Sequence, residues 1–406
     1  LIYVVSFSVF SSVIMVLVAM LLVLEATLVR KGTVRIVIND DTDKALEKPV
    51  GGTLLSALAG ADIFLPSACG GGGSCGQCRC TVEEGGGDIL PTELSHLSRQ
   101  EQNDNVRLAC QIKVREDMRI RIPESIFSIK KYTATVVSNK NVATFIKELV
   151  LRIDNDEKIE FEAGQYMQID IPEYDSVCFA GFDVADRFTS AWEQFDLTGL
   201  CVTADEPVFR AYSLANPPYE ELLRFTIRIA TPPPGTDDIP PGIGSSYVFN
   251  LKPGDRVTLS GPYGDFLVKP TDREMCFVGG GAGMAPMRSH ILHQLNTEQT
   301  KRPITFWYGA RSVQEMFYHE AFTKLSEQHD NFSYHVALSE PQPEDNWQGM
   351  TGFVHQCLYD HYLKDHADPA EIEYYLCGPP PMIDAVMTML DELGVEPDMI
   401  AYDKFS

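Results

Sequence analysis

"CGGGGSCGQC", residues 69–78, sets three cysteines and five glycines in ten positions. A fourth cysteine follows in "RLACQ" (107–111), so that Cys69, Cys75, Cys78 and Cys110 are spaced C-x5-C-x2-C-x31-C. Two bridged irons need four converging thiolates, three from one tightly wound loop and one from a later segment. Glycines suit such a loop because the backbone must come close with no side chain in the way. Their N–H groups can also bond the sulfides. Zinc sites more often carry two separated C-x2-C pairs, and this stretch holds one. The spacing therefore predicts a 2Fe–2S cluster on Cys69, Cys75, Cys78 and Cys110. Cys80 falls outside the pattern and reads as an ordinary strand residue.

The rest of the chain sets the context for that loop. At 406 residues it exceeds what one hydrophobic core covers, and two to four domains are expected. With 33 basic against 57 acidic residues the net charge is -24. That balance argues for solubility and against nucleic acid or anionic lipid as a ligand. Five of the ten cysteines fall between Cys69 and Cys110 and the others are scattered. This is unlike a secreted disulfide scaffold, so reduced thiols facing the cytosol are expected. Residues 1–24 carry no charge and Arg30 and Lys31 follow them. A helix of that length spans roughly 36 Å, enough for a ~30 Å hydrocarbon layer. The flanking charges put the body of the protein on the cytoplasmic side of a single-pass anchor. The segment holds no ionisable residue and offers no path for an ion.

After the anchor the sequence changes character three times. Residues 33–128 begin with the strand "TVRIVI" (33–38) and a short helix in "GGTLLSALAGA" (51–61). "VRLACQIKV" (106–114) and "MRIRIP" (118–123) read as further strands. Residues 130–270 hold many short alternating segments between turn signals, the pattern of an antiparallel β-barrel. Residues 272–406 alternate buried strands with helices, the rhythm of an α/β parallel sheet. The fold class is thus multi-domain: an N-terminal transmembrane helix (1–24), then these three domains.

The cysteine spacing and "RLACQ" resemble the 2Fe–2S ferredoxin family, with its β-grasp fold. "GQYMQI" (164–169), "RAYSLAN" (210–216), "GIGSSYVFNLKPGD" (242–255) and "GPYGDF" (261–266) resemble, in order, the flavin barrel of the ferredoxin–NADP reductase superfamily. That resemblance implies FAD on the strand Arg210, Ala211, Tyr212 and Ser213. Arg210 would pair with the pyrophosphate. Tyr212 would lie against the isoalloxazine and Ser213 would approach its N5 atom. Gly242 and Ser245 would receive phosphate at a helix start. "CFVGGGAGMAPMRSHI" (276–291) and "YLCGPPPMI" (375–383) are similar to that superfamily's pyridine-nucleotide loops. They imply NADH against Gly280, Gly281, Gly283, Cys377 and Gly378, with Ser213 and Cys377 as the catalytic pair beside the nicotinamide. In "ALSEP" (337–341) Ser339 is followed by Glu340, whose carboxylate repels a 2′-phosphate and suits a ribose diol, hence NADH. Phe405 in the terminal "AYDKFS" would cover the flavin.

The order of anchor, ferredoxin, flavin barrel and nucleotide domain, with "GGGDILPTE" (85–93), resembles one family along the whole chain. These are the NADH-oxidising, electron-entry subunits of respiratory sodium-translocating NADH:quinone oxidoreductases of bacterial inner membranes. The resemblance implies membrane-embedded partner subunits, with quinone reduced by the complex and not at this chain. Two alternatives stay open here: the reductase component of a multicomponent oxygenase, which shares the domain order without an anchor, and a non-catalytic iron–sulfur redox sensor. The long stretch between Tyr166 and Arg210, with Phe179, Phe182, Phe188, Trp192 and Phe195, reads either as a local mini-core or as a docking surface.

Overall fold

A computed structural model describes Phe7, residues 10–20, 32–233, Thr236 and 239–404. Phe7 and residues 10–20 are helical, and the rest of the expected anchor lies outside the described residues. Among the described residues no helix is long and apolar enough to cross a membrane. The chain divides into two compact units, 1–67 with 71–128, and 68–70 with 129–406.

The first unit is a five-stranded sheet in the order Asp41–Pro49, Thr33–Ile38, Met118–Arg121, Arg79–Glu84, Val106–Leu108. Thr33–Ile38 alternates exposed and buried residues, as its sequence predicts, and puts Val34, Ile36 and Ile38 in the core. It pairs antiparallel with Asp41–Pro49 and parallel with Met118–Arg121. The helix Leu54–Ala59 is capped by Thr53, whose hydroxyl accepts the Ser56 N–H, and it buries Leu54, Leu55 and Leu58. The strand expected over 106–114 stops at Leu108. Beyond it the backbone is committed elsewhere: Ala109 N–H bonds Cys78 O at 2.8 Å, and Ala109 O and Ile112 O accept from Leu55 and Leu54. A sheet ladder there would leave the cysteine loop and the helix start unpaired.

An ion pair inside this unit fixes the segment that carries Cys110. Glu93 is fully buried and accepts from Arg107 Nε at 2.9 Å and Nη2 at 2.7 Å, and from the N–H groups of Leu90 and Leu108. The remaining Arg107 donors reach the carbonyls of Gly86, Gly87 and Asp88. The pair is therefore saturated with hydrogen bonds, the condition under which a buried ion pair is tolerated.

The second unit contains two sheets of six strands. The first is antiparallel throughout, in the order Val208–Ser213, Tyr166–Ile171, Arg256–Tyr263, Lys130–Ala143, Ile146–Ile153, Leu223–Arg228. Leu149, Met167, Ile169, Phe225 and Leu259 are fully buried inside it. The second is parallel throughout, in the order Met350–Thr351, Phe332–Leu338, Ile304–Ala310, Met275–Gly280, Glu373–Gly378, Ile400–Lys404. Its central strand is buried on both faces: Met275 and Phe277 enter one core, Cys276 and Val278 the other. The helices Met284–Leu292, His319–Gln328, Val354–His361 and Pro380–Glu392 flank it in sequence.

The stretch after Tyr166 forms its own small core. A hairpin of Tyr174–Cys178 and Cys201–Ala204 and the helix Asp186–Gln194 bury Phe179, Phe182, Phe188 and Trp192. The Trp192 indole N–H donates to Thr144 O at 2.8 Å. Phe195 stays 46% exposed. Cys178 and Cys201 are register partners across the hairpin and form a disulfide. This corrects the reading of every cysteine as a reduced thiol; strand pairing brings together two residues 23 positions apart.

Burial alone would raise the Glu93 carboxyl, but the Arg107 guanidinium and the Leu108 and Leu90 amides outweigh it and hold it below the ordinary carboxylate range. A depressed folded-state pKa means that this stability is complete above the unfolded value, about 4.3, and is lost as pH falls through the folded one. Replacing Glu93 by Leu leaves a buried arginine without its counter-charge, a loss of about 3–5 kcal/mol. The protection of the Leu108 amide, its exchange rate set against the unstructured-peptide rate at the same pH, is expected to fall on the order of a hundredfold or more in E93L at neutral pH, and to fall in the parent as the solution is acidified.

Candidate functional site

The cysteine loop is shaped by its glycines. Gly71, Gly73 and Gly76 have φ of +92°, +81° and +65°, the left-handed region that a side chain disfavours. A Cβ on Gly76 would lie 2.9 Å from His96 Cβ. Cys78 and Cys110 are buried and their sulfurs share a hydrogen bond, while Cys75 is half-buried and close enough to act on Cys78 electrostatically. The hydrogen bond with Cys110, then burial, pushes the Cys78 thiol far above its usual range. Two thiols facing each other in this way hold protons that a metal would displace. Cys69 belongs to the 68–70 segment of the other unit. Among the described residues no three His, Cys, Asp or Glu side chains are gathered into a ready-made metal site. Soft thiol donors and a left-handed glycine loop fit an iron–sulfur group.

In the second unit, Val208–Ser213 pairs antiparallel with Tyr166–Ile171, setting Arg210 opposite Ile169, Ala211 opposite Gln168 and Tyr212 opposite Met167. The helix Ile243–Asn250 begins against this strand. A Cβ on Gly244 would lie 2.6 Å from Arg210 Cγ and 3.0 Å from the Tyr212 hydroxyl oxygen, so only glycine lets the helix start come this close. Gly242 is the N-cap and donates to Ala230 O at 2.9 Å. The Ser245 hydroxyl accepts the Ala230 N–H at 3.0 Å and donates to Gly242 O at 3.1 Å. Ser245 thus ties the helix start to the strand end. The Arg210 stem passes this helix start and its Nη1 donates to Phe209 O at 2.8 Å; a cation and a helix N-terminus on neighbouring elements suit an anion. Burial raises the Tyr212 hydroxyl well above its usual range, so the phenol is neutral.

At the end of the same strand, Ser213 Oγ donates to Asp403 Oδ2 at 3.0 Å. Asp403 lies on Ile400–Lys404 in register with Cys377 of Glu373–Gly378. Cys377 is fully buried, and burial followed by the Asp403 charge keeps its thiol protonated. Burial raises the Asp403 carboxyl, against the Ser213 hydrogen bond. Gly283 closes the arrangement from the other side: a Cβ there would sit 2.1 Å from Cys377 O. Gly378, with φ +153°, has Gly280 O 3.0 Å from its own Cβ position. Gly283 and Gly378 thus pack at the end of the Cys377 strand, while Ser213 and Cys377 meet at Asp403, which the motifs in the sequence did not single out. Its signal was an acidic residue two positions before the terminal aromatic. Phe405 itself lies outside the described residues.

A cavity of about 450 Å³ opens along the ends of the parallel strands, lined by Gly280, Gly281, Tyr308, Ser339 and the two cations Arg228 and Arg311. Glu340 pairs with Arg311 at 3.6 Å. A chain of charges locks the antiparallel sheet to the parallel sheet beside it. Arg224 bonds Glu148 at 3.3 Å and Glu220 at 3.1 Å, and Arg288 reaches Glu220 at 2.8 Å and Ala215 O at 2.7 Å. Tyr318 donates to Glu148, and Thr226 holds the carbonyl of Ala282 in the glycine loop at 3.1 Å.

Residues 37–115 match the family described as the 2Fe-2S iron-sulfur cluster binding domain, and residues 277–388 match the oxidoreductase NAD-binding domain. The chain is similar to the ferredoxin reductase in carbazole 1,9a-dioxygenase, with a TM-score of 0.60 and 27% identity, covering 93% of this chain and 99% of that one. An Amycolatopsis cytochrome P450 reductase shares the fold, with a TM-score of 0.62 and 24% identity over 92% and 99% of the two chains. The F subunit of the Na(+)-translocating NADH-quinone reductase of Serratia proteamaculans is 52% identical over 98% of this chain and 97% of its own length. That of Klebsiella pneumoniae subsp. pneumoniae is 53% identical over the same shares. With identity at this level over nearly the whole of both chains, the chain belongs to the family of F subunits of the Na(+)-translocating NADH-quinone reductase.

Proposed function

We propose that this protein is the NADH-oxidising subunit of a sodium-translocating NADH:quinone reductase, taking a hydride from NADH and sending electrons onward through a 2Fe–2S cluster. The observation that carries the reading is the 3.0 Å bond from Ser213 to Asp403 beside Cys377. It joins the strand that would hold the flavin to the two strands that would hold the nicotinamide. When bound, FAD turns a two-electron hydride into single electrons, and a 2Fe–2S cluster on Cys69, Cys75, Cys78 and Cys110 carries them one at a time.

The chain's own residues do the positioning. Arg210 and the N-terminus of Ile243–Asn250 neutralise the flavin pyrophosphate. Tyr212, neutral and half-buried, gives the isoalloxazine an apolar face. Ser213 commits its proton to Asp403, which fixes the rotamer of a hydroxyl next to the hydride path. Burial and the neighbouring Asp403 charge keep Cys377 a neutral thiol, which would pack beside the nicotinamide without adding a second negative charge there. Arg228 and Arg311 supply cations for the dinucleotide phosphates, with Gly280 and Gly281 leaving room for them. Glu340 holds Arg311 and sets a carboxylate where NADPH carries its extra phosphate. Residues 1–24 would anchor the chain in the bacterial inner membrane with the domains on the cytoplasmic face, handing electrons to membrane-embedded subunits where quinone is reduced.

Two outcomes follow from this assignment. S213A is expected to keep its flavin and to slow flavin bleaching by NADH about a hundredfold in stopped-flow, the scale of a small misplacement of reacting atoms. The ion pair of Arg311 and Glu340 is exposed and worth at most about 1 kcal/mol, so Arg311 is readily released. E340S is expected to raise kcat/KM for NADPH relative to NADH by roughly tenfold or more, because a repulsive carboxylate goes and a guanidinium becomes available.

A further inference from the structure

Gln111 follows Cys110 directly and its side chain is held at both ends. Its amide Nε2 donates to Cys110 Sγ at 3.4 Å, and its Oε1 accepts from the Thr92 hydroxyl at 2.9 Å. The opposite side of the amide faces Gly73, where a Cβ would lie 2.5 Å from Nε2 and 3.0 Å from Cδ. A glycine in the left-handed region thus makes the space in which the amide reaches the sulfur. Thr92 is itself fixed, because it precedes Glu93 in the helix Pro91–Leu94, and Glu93 is anchored by Arg107, Leu90 and Leu108.

We propose that Gln111 is a positioning residue for electron transfer: its amide N–H, held by Thr92, bonds the Cys110 sulfur and raises the reduction potential of the cluster. The proposal rests on the assignment of Cys110 as a cluster ligand. The orientation of the amide follows from chemistry. A thiolate accepts hydrogen bonds and donates none, so it selects the nitrogen end, while the threonine hydroxyl donates to the oxygen end. Reduction puts one further negative charge on the irons and their sulfurs. A donor already aimed at one of those sulfurs stabilises the reduced form more than the oxidised form. No bond is made or broken in this step: one electron enters from the flavin and the same electron leaves to the next carrier.

The test is a redox titration of the cluster in the full chain, followed by electron paramagnetic resonance, with the parent, Q111L, T92V and T92S. Q111L is expected to lower the midpoint by roughly a tenfold change in the reduction equilibrium, about 59 mV for a one-electron couple. T92V should move it part of the way, T92S should stay with the parent, and flavin bleaching by NADH should keep its parent rate in all three. Q111L with its signal intact and the parent's midpoint overturns the proposal, as does a loss of cluster content in the variants with no movement of the midpoint. Should Q111L bind no cluster, T92V decides, and a midpoint equal to the parent's overturns the proposal. A parent chain with no 2Fe–2S signal instead removes the ligand assignment, and the proposal with it.

Discussion

A serine on the end strand of the antiparallel sheet and an aspartate on the edge of a parallel sheet meet at 3.0 Å, and the catalytic reading depends on that contact. Hydride transfer requires the donor carbon and the acceptor nitrogen to be held almost in contact, so two separately built sheets must agree in position to a fraction of an ångström. Several features enforce the agreement. The register of Cys377 with Asp403 places thiol and carboxylate side by side. Gly283 fits where no side chain could, against the Cys377 carbonyl. Half-buried charges running from Glu148 through Arg224 and Glu220 to Arg288 bind the two sheets beside the glycine loop. Pairs of this kind are screened less by solvent and salt than exposed ones, and each arginine here has more than one partner.

Much of this was legible in the residues themselves. The alternation in "TVRIVI", the hydrophobic run before the "GGGAG" loop and the cysteine spacing each have a local physical cause, so the strand, the buried parallel strand and the thiol loop could be read directly. The residues of "RAYS" were found as candidates, and the fold sets Ser213 on its aspartate. What escaped was non-local. Asp403 acquires its role from a partner 190 positions earlier. The disulfide of Cys178 and Cys201 arises from hairpin register, and composition alone argued the other way. "VRLACQIKV" alternates like a strand along its whole length, yet Ala109 and Ile112 commit their carbonyls to a helix start. The aromatic stretch after Tyr166 gave two readings, and its burial favours the mini-core, with Phe195 left at the surface.

The ferredoxin-type unit is held by a different means. Its sheet is small, and the segment bearing Cys110 has little ladder to hold it. A saturated ion pair, Arg107 with Glu93, takes over that role and fixes the "GGGDILPTEL" loop at the same time. Such a pair contributes little net stability compared with apolar packing, but it specifies one geometry. One geometry is what a ligand set needs, since a cluster ligand displaced by an ångström changes both affinity and potential.

In the proposed function electrons pass from NADH through a flavin on the Arg210–Ser213 strand to a cluster on Cys69, Cys75, Cys78 and Cys110. Rapid mixing of the full chain with one equivalent of NADH, with samples frozen at successive times for paramagnetic resonance, tests it most directly. Flavin is expected to bleach first, followed by a 2Fe–2S signal of one spin per chain that is lost when any of the four cysteines is changed to serine. A cluster signal that survives such a change, or a fully bleached flavin beside a cluster that never takes an electron, would contradict it.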